Sequence, residues 1–361
     1  MTEAIENIDV RVLERKNCRE YWIHSAENHN RGARIIHSVF DFLKIHSLEP
    51  VSMRFFGSRK DIAEVSSCLE TKEIGCPHLF ILQDNSAEQD CLNVQIHALS
   101  KDRSEPLYCE DKLIGRAFED DCVKYYMLNI LPDERIQDPF SQTKNVFEKA
   151  HKILQSLGSG FPDTIRTWLF ANDILSWYDH LNEARNQFFE YQNIYNQLVP
   201  ASTGVGVPNP YGRAVAVQLL ALRPKGKAVG AQSINSPLQC PALSYKSSFS
   251  RAVKIDLPDF ARLYISGTAS IDRDGKTVFL DDTPAQIDWT MRVIKAVLDQ
   301  AAMDWSDVVT SIAYFKHRRD FSLFDDYCRK HSLKLPHIKV QADVCREDLL
   351  FEMELEAVKT A

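Results

Sequence analysis

The chain of 361 residues carries one order of elements twice, 144 positions apart, and a repeat of that length sets the unit from which the fold is built. In the later copy, Thr283-Pro284-Ala285-Gln286 has the form of a capping box: Thr as N-cap, Pro in the first turn, Gln three residues on. Ile287, Met291, Ile294, Leu298 and Ala301 then recur at helical spacing and give one buried stripe. Residues 308–316 (VVTSIAYFK) are β-branched and aromatic and read as a strand. Asp320 is placed to cap a second helix, FSLFDDYCRKH. A shift of 144 brings Gln286 onto Gln142, Asp307 onto Asp163, and SIAYFK onto TWLFAN at 167–172. Asp138-Pro139 opens the earlier first helix, and LSWYDHLNEARNQFFE forms the second.

Segments 250–255, 262–270, 337–344 and 349–358 also read as extended. The unit is therefore strand-strand-helix-strand-helix-strand-strand, and the expected fold class is α+β: two tandem units, each a mixed sheet with two helices on one face. The other face needs cover from the second copy, from another chain, or from both. By this reading 111–200 is the diverged unit and 241–361 the clearer one. Residues 201–240 are a linker in which a strand, AVAVQLLAL (214–222), lies between Gly- and Pro-rich stretches. Residues 1–110 are an N-terminal extension or part of the first unit; RGARIIHSVFDFLKIH reads as helix, HLFILQD and LNVQIHALS as strands.

A hydrophobic share of 44% and a charged share of 26% fit a soluble globular protein. The net charge of −7 argues against a nucleic-acid surface, which needs clustered Lys and Arg. No apolar run approaches the ~20 residues of a membrane helix, and MTEAIENIDV lacks the pattern of a signal peptide. Nine scattered cysteines without a CxxC pair point to a reducing, cytoplasmic setting, free thiols and no metal site. No cofactor is implied.

The last strand carries the chemistry. In Leu349-Leu350-Phe351-Glu352-Met353-Glu354-Leu355-Glu356-Ala357, apolar residues alternate with carboxylates, so Glu352, Glu354 and Glu356 share one face. That face is either solvated or turned into a cleft where sheets meet. In a cleft, burial and a like charge one pleat away raise a carboxyl pKa and make a proton donor near neutral pH. Cys345 is a pocket wall or a nucleophile, and Arg346 has the donor fork that grips a carboxylate. Gly267, Thr268 and Ala269 end a strand with small residues, free N–H groups and hydroxyls suited to an anion. Ser248, Phe249 and Arg251 supply an aromatic wall and a further cation. Arg166 opens the earlier strand, and Tyr178, Asn182 and Arg185, spaced at four and three, share a helix face. The loop-like PASTGVG at 200–206 lacks the Lys-Ser/Thr ending of a phosphate loop.

These motifs resemble two related families. The C-terminal unit looks like a RidA/YjgF domain: SSFSRAV, ISGTAS, DFSLFDDYC and FEMELEAV match its conserved segments in order. Glu352 falls where the imine deaminases of that family keep a water-activating glutamate, while the position of their carboxylate-binding Arg holds Cys345, with Arg346 next. Such units commonly close into three-fold barrels. Over roughly 110–361 the chain is more similar to the chorismatases, through RTW at Arg166, the N-x-x-R from Asn182 to Arg185, PASTGVG, SSFSRA, ISGTAS and CREDLLFEME. That resemblance implies cleavage of the enolpyruvyl ether of chorismate, with Glu352 as general acid and pyruvate as one product. Ala269 and Cys345 stand where the family decides between a dihydroxycyclohexadiene acid and a hydroxybenzoate, and together they leave the product open. It implies a small dicarboxylate as partner, no nucleic acid or membrane, and a possible homo-oligomer. A RidA-like deaminase and a non-catalytic ligand-binding protein are the competing expectations.

Overall fold

The computed structural model describes residues 2–5, 7–15, 18–26, 33–72, 75–83, 92–100, 103–226 and 229–360. They form three six-stranded sheets of identical topology. The first unit contains β1 Thr2–Ile5, β2 Ile8–Glu14, β3 Arg19–Ser25, α1 Ala33–Ile45, β4 Leu48–Gly57, α2 Arg59–Thr71, β5 His78–Leu82 and β6 Asn93–Ser100. The second contains β7 Ser104–Cys109, β8 Lys112–Glu119, β9 Val123–Ile130, α3 Pro139–Ser156, β10 Thr164–Ala171, α4 Ile174–Tyr191, β11 Ala201–Gly206 and β12 Val215–Pro224. The third contains β13 Gly230–Ile234, β14 Ala252–Asp256, β15 Phe260–Ala269, α5 Thr283–Gln300, β16 Val308–Phe315, α6 Phe321–Lys330, β17 His337–Gln341 and β18 Phe351–Thr360. Each sheet runs first-second-third-sixth-fourth-fifth, with only the fourth and fifth strands parallel.

The two expected α+β units are present, and a third of the same kind precedes them within 1–110. The stretch 201–240 holds β11 and β12, which are integral to the second sheet, and the edge strand β13 of the third. Register confirms the repeat. In each sheet the fourth strand bulges against the sixth, between Pro50 and Ser52, Thr164 and Arg166, and Val308 and Thr310. Four residues beyond each bulge an aromatic pairs with the sixth strand: Phe56 with Asn93, Phe170 with Ala216, Tyr314 with Glu352.

Helices cover the outer face of each sheet, and the inner faces pack on one another. The shared core takes Trp22 and Phe56 from the first unit, Tyr125 and Phe170 from the second, and Tyr264 and Tyr314 from the third. The segments after the fifth strands meet as well. Gly206 and Asp343 exchange backbone hydrogen bonds of 2.7 and 3.0 Å, and the Leu82 N–H donates to the Pro208 carbonyl at 2.9 Å. Gln83 bridges to the Gln341 backbone through both ends of its amide, at 3.2 and 2.9 Å.

Local capping departs from expectation in the third unit. Asp282, not Thr283, is the N-cap of α5, accepting from the Ala285 N–H, and the Gln286 amide reaches the carbonyls of Phe279 and Asp348. Asp320 ends a short 3-10 turn and stands at the N-cap position of α6, but its side chain makes no capping hydrogen bond; its carboxylate accepts from the Thr283 hydroxyl at 3.2 Å. Asp138 caps α3 through the Ser141 N–H.

Candidate active site

Alternation along β18 divides its residues between two environments. Phe351, Met353, Leu355 and Ala357 pack with Ile287, Met291 and Phe324 on the helix side, whereas Leu349 joins a small cluster with Ala269 and Val344. Glu352, Glu354 and Glu356 point inward, and the fold answers each differently. Glu356 meets Arg262 at 3.1 Å; the same guanidinium grips Glu20 of β3, whose other oxygen lies 2.6 Å from His97. Glu354 accepts from Arg166 at 2.7 Å and from the Trp168 indole at 2.9 Å, with Arg54 of β4 at 3.5 Å. Glu352 is 5% exposed and has neither a salt bridge nor a hydrogen bond among the described residues. Burial and the adjacent Glu354 charge push its carboxyl up to about 8, against the opposing pull of Arg166 and Arg251.

A bulge seats this carboxyl. The β15–β18 register shifts between Ile265 and Thr268, so Ser266 and Gly267 together oppose Glu354. The Gly267 backbone then lies against Glu352: a Cβ there would stand 2.0 Å from Oε1 and 2.8 Å from the carboxyl carbon. Only glycine leaves that space open.

Glu352 opens into a cavity between the second and third units. α4 contributes Tyr178, Leu181 and Arg185; β11 contributes Ser202 and Gly204; the third unit adds Tyr245, Phe249, Arg251, Gly267, Ala269 and Cys345. Arg185 is buried, donates to Asn182 Oδ1 at 2.5 Å, and keeps a buried Nε without a hydrogen bond. Arg251 donates to the Cys240 carbonyl from Nε and Nη2, at 3.1 and 2.8 Å, and stacks between Tyr245 and Phe249. Neither guanidinium has a carboxylate partner among the described residues. The cavity thus joins a neutral-leaning carboxyl to two buried cations that form no salt bridge among the described residues.

The other candidates lie outside the lining. Arg166 serves Glu354 and Thr203. Arg346 donates to the Gly275 carbonyl at 2.8 Å and lies over the Tyr245 ring, 5.3 Å from its centroid. Ser248 is bound to Asn186 and Tyr195, and Thr268 to the Ser266 carbonyl. The N–H groups expected to receive an anion near Gly267 are not free: Gly267 donates to Thr203 Oγ1 at 2.9 Å. Cys345 lines the cavity, but burial and the facing Glu352 push its thiol up to about 12, which removes the thiolate a nucleophile needs. Tyr178 pairs with Ser247 at 3.3 Å, and burial raises its phenol. Tyr245, Ser202 and Gly204 were not among the sequence candidates. The alternation of PASTGVG as a strand could have flagged Ser202 and Gly204; nothing in the sequence marks Tyr245.

Residues 241–359 match the family model described as Endoribonuclease L-PSP. Over 100 residues the chain is 32% identical to a RutC family protein of Saccharolobus solfataricus, covering 27% of this chain and 79% of that one. It is 25% identical over 244 residues to a 3-hydroxybenzoate synthase of Streptomyces hygroscopicus, covering 59% of this chain and 68% of that one. A chorismatase of the same organism is 26% identical over 236 residues, covering 59% and 66%. A chorismatase crystal structure superposes with a TM-score of 0.64 at 19% identity, over 86% of this chain and 93% of that one, and so shares its fold.

Proposed function

This chain belongs, through its third unit, to the endoribonuclease L-PSP family, and from that premise we propose that it is a chorismatase-like enzyme that cleaves the enolpyruvyl ether of chorismate or a close relative. The observation that carries the reading is Glu352: a buried carboxyl without a hydrogen-bond or ion-pair partner among the described residues, with Arg185 and Arg251 in the same cavity and likewise without a carboxylate partner among them. An enol ether breaks after a proton reaches its methylene carbon, and a carboxyl held neutral near pH 7 is the group for that step. The proton leaves Glu352 for that carbon, and positive charge develops on the ether-bearing carbon as an oxocarbenium ion. The carboxylate left behind stabilises it. Water then adds to the cation. With water the resulting hemiketal collapses, the ether oxygen leaves with the ring as an alcohol, and pyruvate is released. The net proton returns to Glu352.

Arg185 and Arg251 match a dicarboxylate in number and charge, since each supplies a planar donor fork. The imine-deaminase reading is weaker, because the position of its carboxylate-binding Arg is taken by the neutral thiol of Cys345 while Arg346 is engaged by Gly275. The test is incubation with chorismate and measurement of pyruvate by a coupled lactate dehydrogenase assay. Turnover in the wild type that disappears in a folded Glu352→Gln protein is expected. Pyruvate release that survives that change removes the acid role, and a folded wild type that releases none removes the reading.

A further inference from the structure

None of the described residues lining the cavity comes from the first unit, yet that unit reaches the site's electrostatics through Arg54. Arg54 projects from β4 into the space between the sheets, 7% exposed, with Nη1 3.5 Å from Glu354 Oε1. It lies over the Trp168 ring at 4.5 Å, and Arg166 lies over the same ring at 4.7 Å. Glu354 therefore accepts hydrogen bonds from Arg166 on one oxygen and from the Trp168 N–H on the other, with Arg54 beside the second oxygen as an ion-pair contact. Glu352, one pleat along on the same face, receives no hydrogen bond from the described residues.

Two carboxyls on one strand face act on each other through space, and the donors around each decide which is held as the anion. Among the described residues both hydrogen-bond donors, Arg166 and Trp168, are on Glu354. We propose that Glu354 is a positioning residue for Glu352: fixed as the ionised member by Arg54, Arg166 and Trp168, it assigns the pair's single proton to the carboxyl that faces the cavity, so the first unit sets the charge state of a site it does not line. The inference rests on the reading of Glu352 as the acid.

The groups around the pair agree with this assignment. Glu352 faces Arg166 and Arg251, the thiol of Cys345 and, across the strand pairing, Tyr314. Glu354 faces Arg54, Arg166, Trp168 and Tyr314, with Glu356 farther along the strand engaged by Arg262. Arg54 and Arg166 with Glu354 sum to one net positive charge. When Glu352 gives up its proton, the new carboxylate faces a region already prepared to balance it.

The experiment titrates the pair without substrate. Infrared difference spectra follow the protonated-carboxyl stretch from pH 5 to 10 in the full chain, with Glu352→Gln as the subtraction reference. Glu354→Gln removes a negative charge, so the midpoint moves down by about one pH unit or more, roughly tenfold in proton affinity. Arg54→Gln removes a positive charge, so the midpoint moves up whichever oxygen holds the proton. Arg54→Lys, which keeps the charge, stays near the wild type and guards against a fold defect, checked by thermal melting. A protonated-carboxyl band that Glu352→Gln abolishes and Glu354→Gln keeps at a lower midpoint supports the proposal. No shift in Glu354→Gln, or both variants moving the same way, overturns it. Chorismate turnover is measured separately, so an inactive wild type that shows this band pattern loses the enzymatic reading and keeps only the assignment of the proton to Glu352.

Discussion

Replacing Gly267 with alanine isolates the geometry of the acid from its chemistry. The added methyl would begin 2.0 Å from Glu352 Oε1, 2.8 Å from its carboxyl carbon and 3.1 Å from Thr203 Cγ2. An ordinary carbon–oxygen contact is ~3.4 Å, so the carboxyl must retreat by about 1.4 Å. The Gly267 backbone has little freedom to yield, because its N–H is held by Thr203 and its neighbours are paired across the bulge. The far end of the glutamate moves instead. Displacement by about 1 Å costs about 10²-fold in a step that depends on alignment, whereas local overpacking costs roughly 1–3 kcal/mol of stability. Gly267→Ala is thus expected to fold, to melt a few degrees lower, and to lose pyruvate release by about 10²-fold or more in kcat. Calorimetry and the coupled pyruvate assay read the two effects separately. A Gly267→Ala protein that turns over at the wild-type rate would refute the placement of the acid against this bulge.

Three further outcomes follow from the same geometry. Arg185→Met or Arg251→Met weakens a dicarboxylate ligand by roughly 10- to 100-fold, the loss of one charged hydrogen-bonding partner, measurable by isothermal titration with 3-hydroxybenzoate and its dicarboxylate analogues; equal weakening of neutral ligands would contradict it. Glu352→Gln stabilises the fold above pH 5. The native carboxyl keeps its proton up to about 8 while the unfolded one ionises from about 4.5, so wild-type stability falls across that window by roughly 1.4 kcal/mol per pH unit, and the melting temperatures of mutant and wild type should diverge from pH 5 to 8. His24 is the converse case. Burial beside His337, Arg11 and Arg54 holds its imidazole at about 3, so stability present above the ordinary histidine range is lost as pH falls toward 3. His24→Gln should flatten the acid side of the stability curve, and an unchanged slope would show that His24 does not titrate on unfolding.

The third unit was legible because its periodicities are strong: a five-residue stripe on α5 and strict alternation on β18. The first unit was read only in part. Its α1, β5 and β6 have apolar sequences and were recognised, but β4 contains Pro50 and ends at Gly57, both of which argue locally against a strand. α2, RKDIAEVSSCLET, buries only Ile62, Val65 and Leu69 among its apolar residues, too sparse a stripe to stand out. Without those two elements the third copy of the repeat was invisible. At the site, Glu352, Arg185 and Arg251 were named from residue type and family pattern. Which arginines enter the cavity was decided by contacts distant in sequence: Arg166 by Glu354, 188 positions away, and Arg346 by Gly275, 71 away. Tyr245 reaches the cavity from a short 3-10 turn with no periodic signal.

The equivalent positions Asn93, Ala216 and Glu352 differ in what they place at the three seams between units. Because all three sheets belong to one polypeptide, dilution cannot separate the walls of the cavity that holds Glu352, and its integrity does not depend on protomer concentration. A self-associating ancestor built from one repeated subunit would have carried every substitution three times over. Here each position is encoded separately, so Asn93, Ala216 and Glu352 are free to differ.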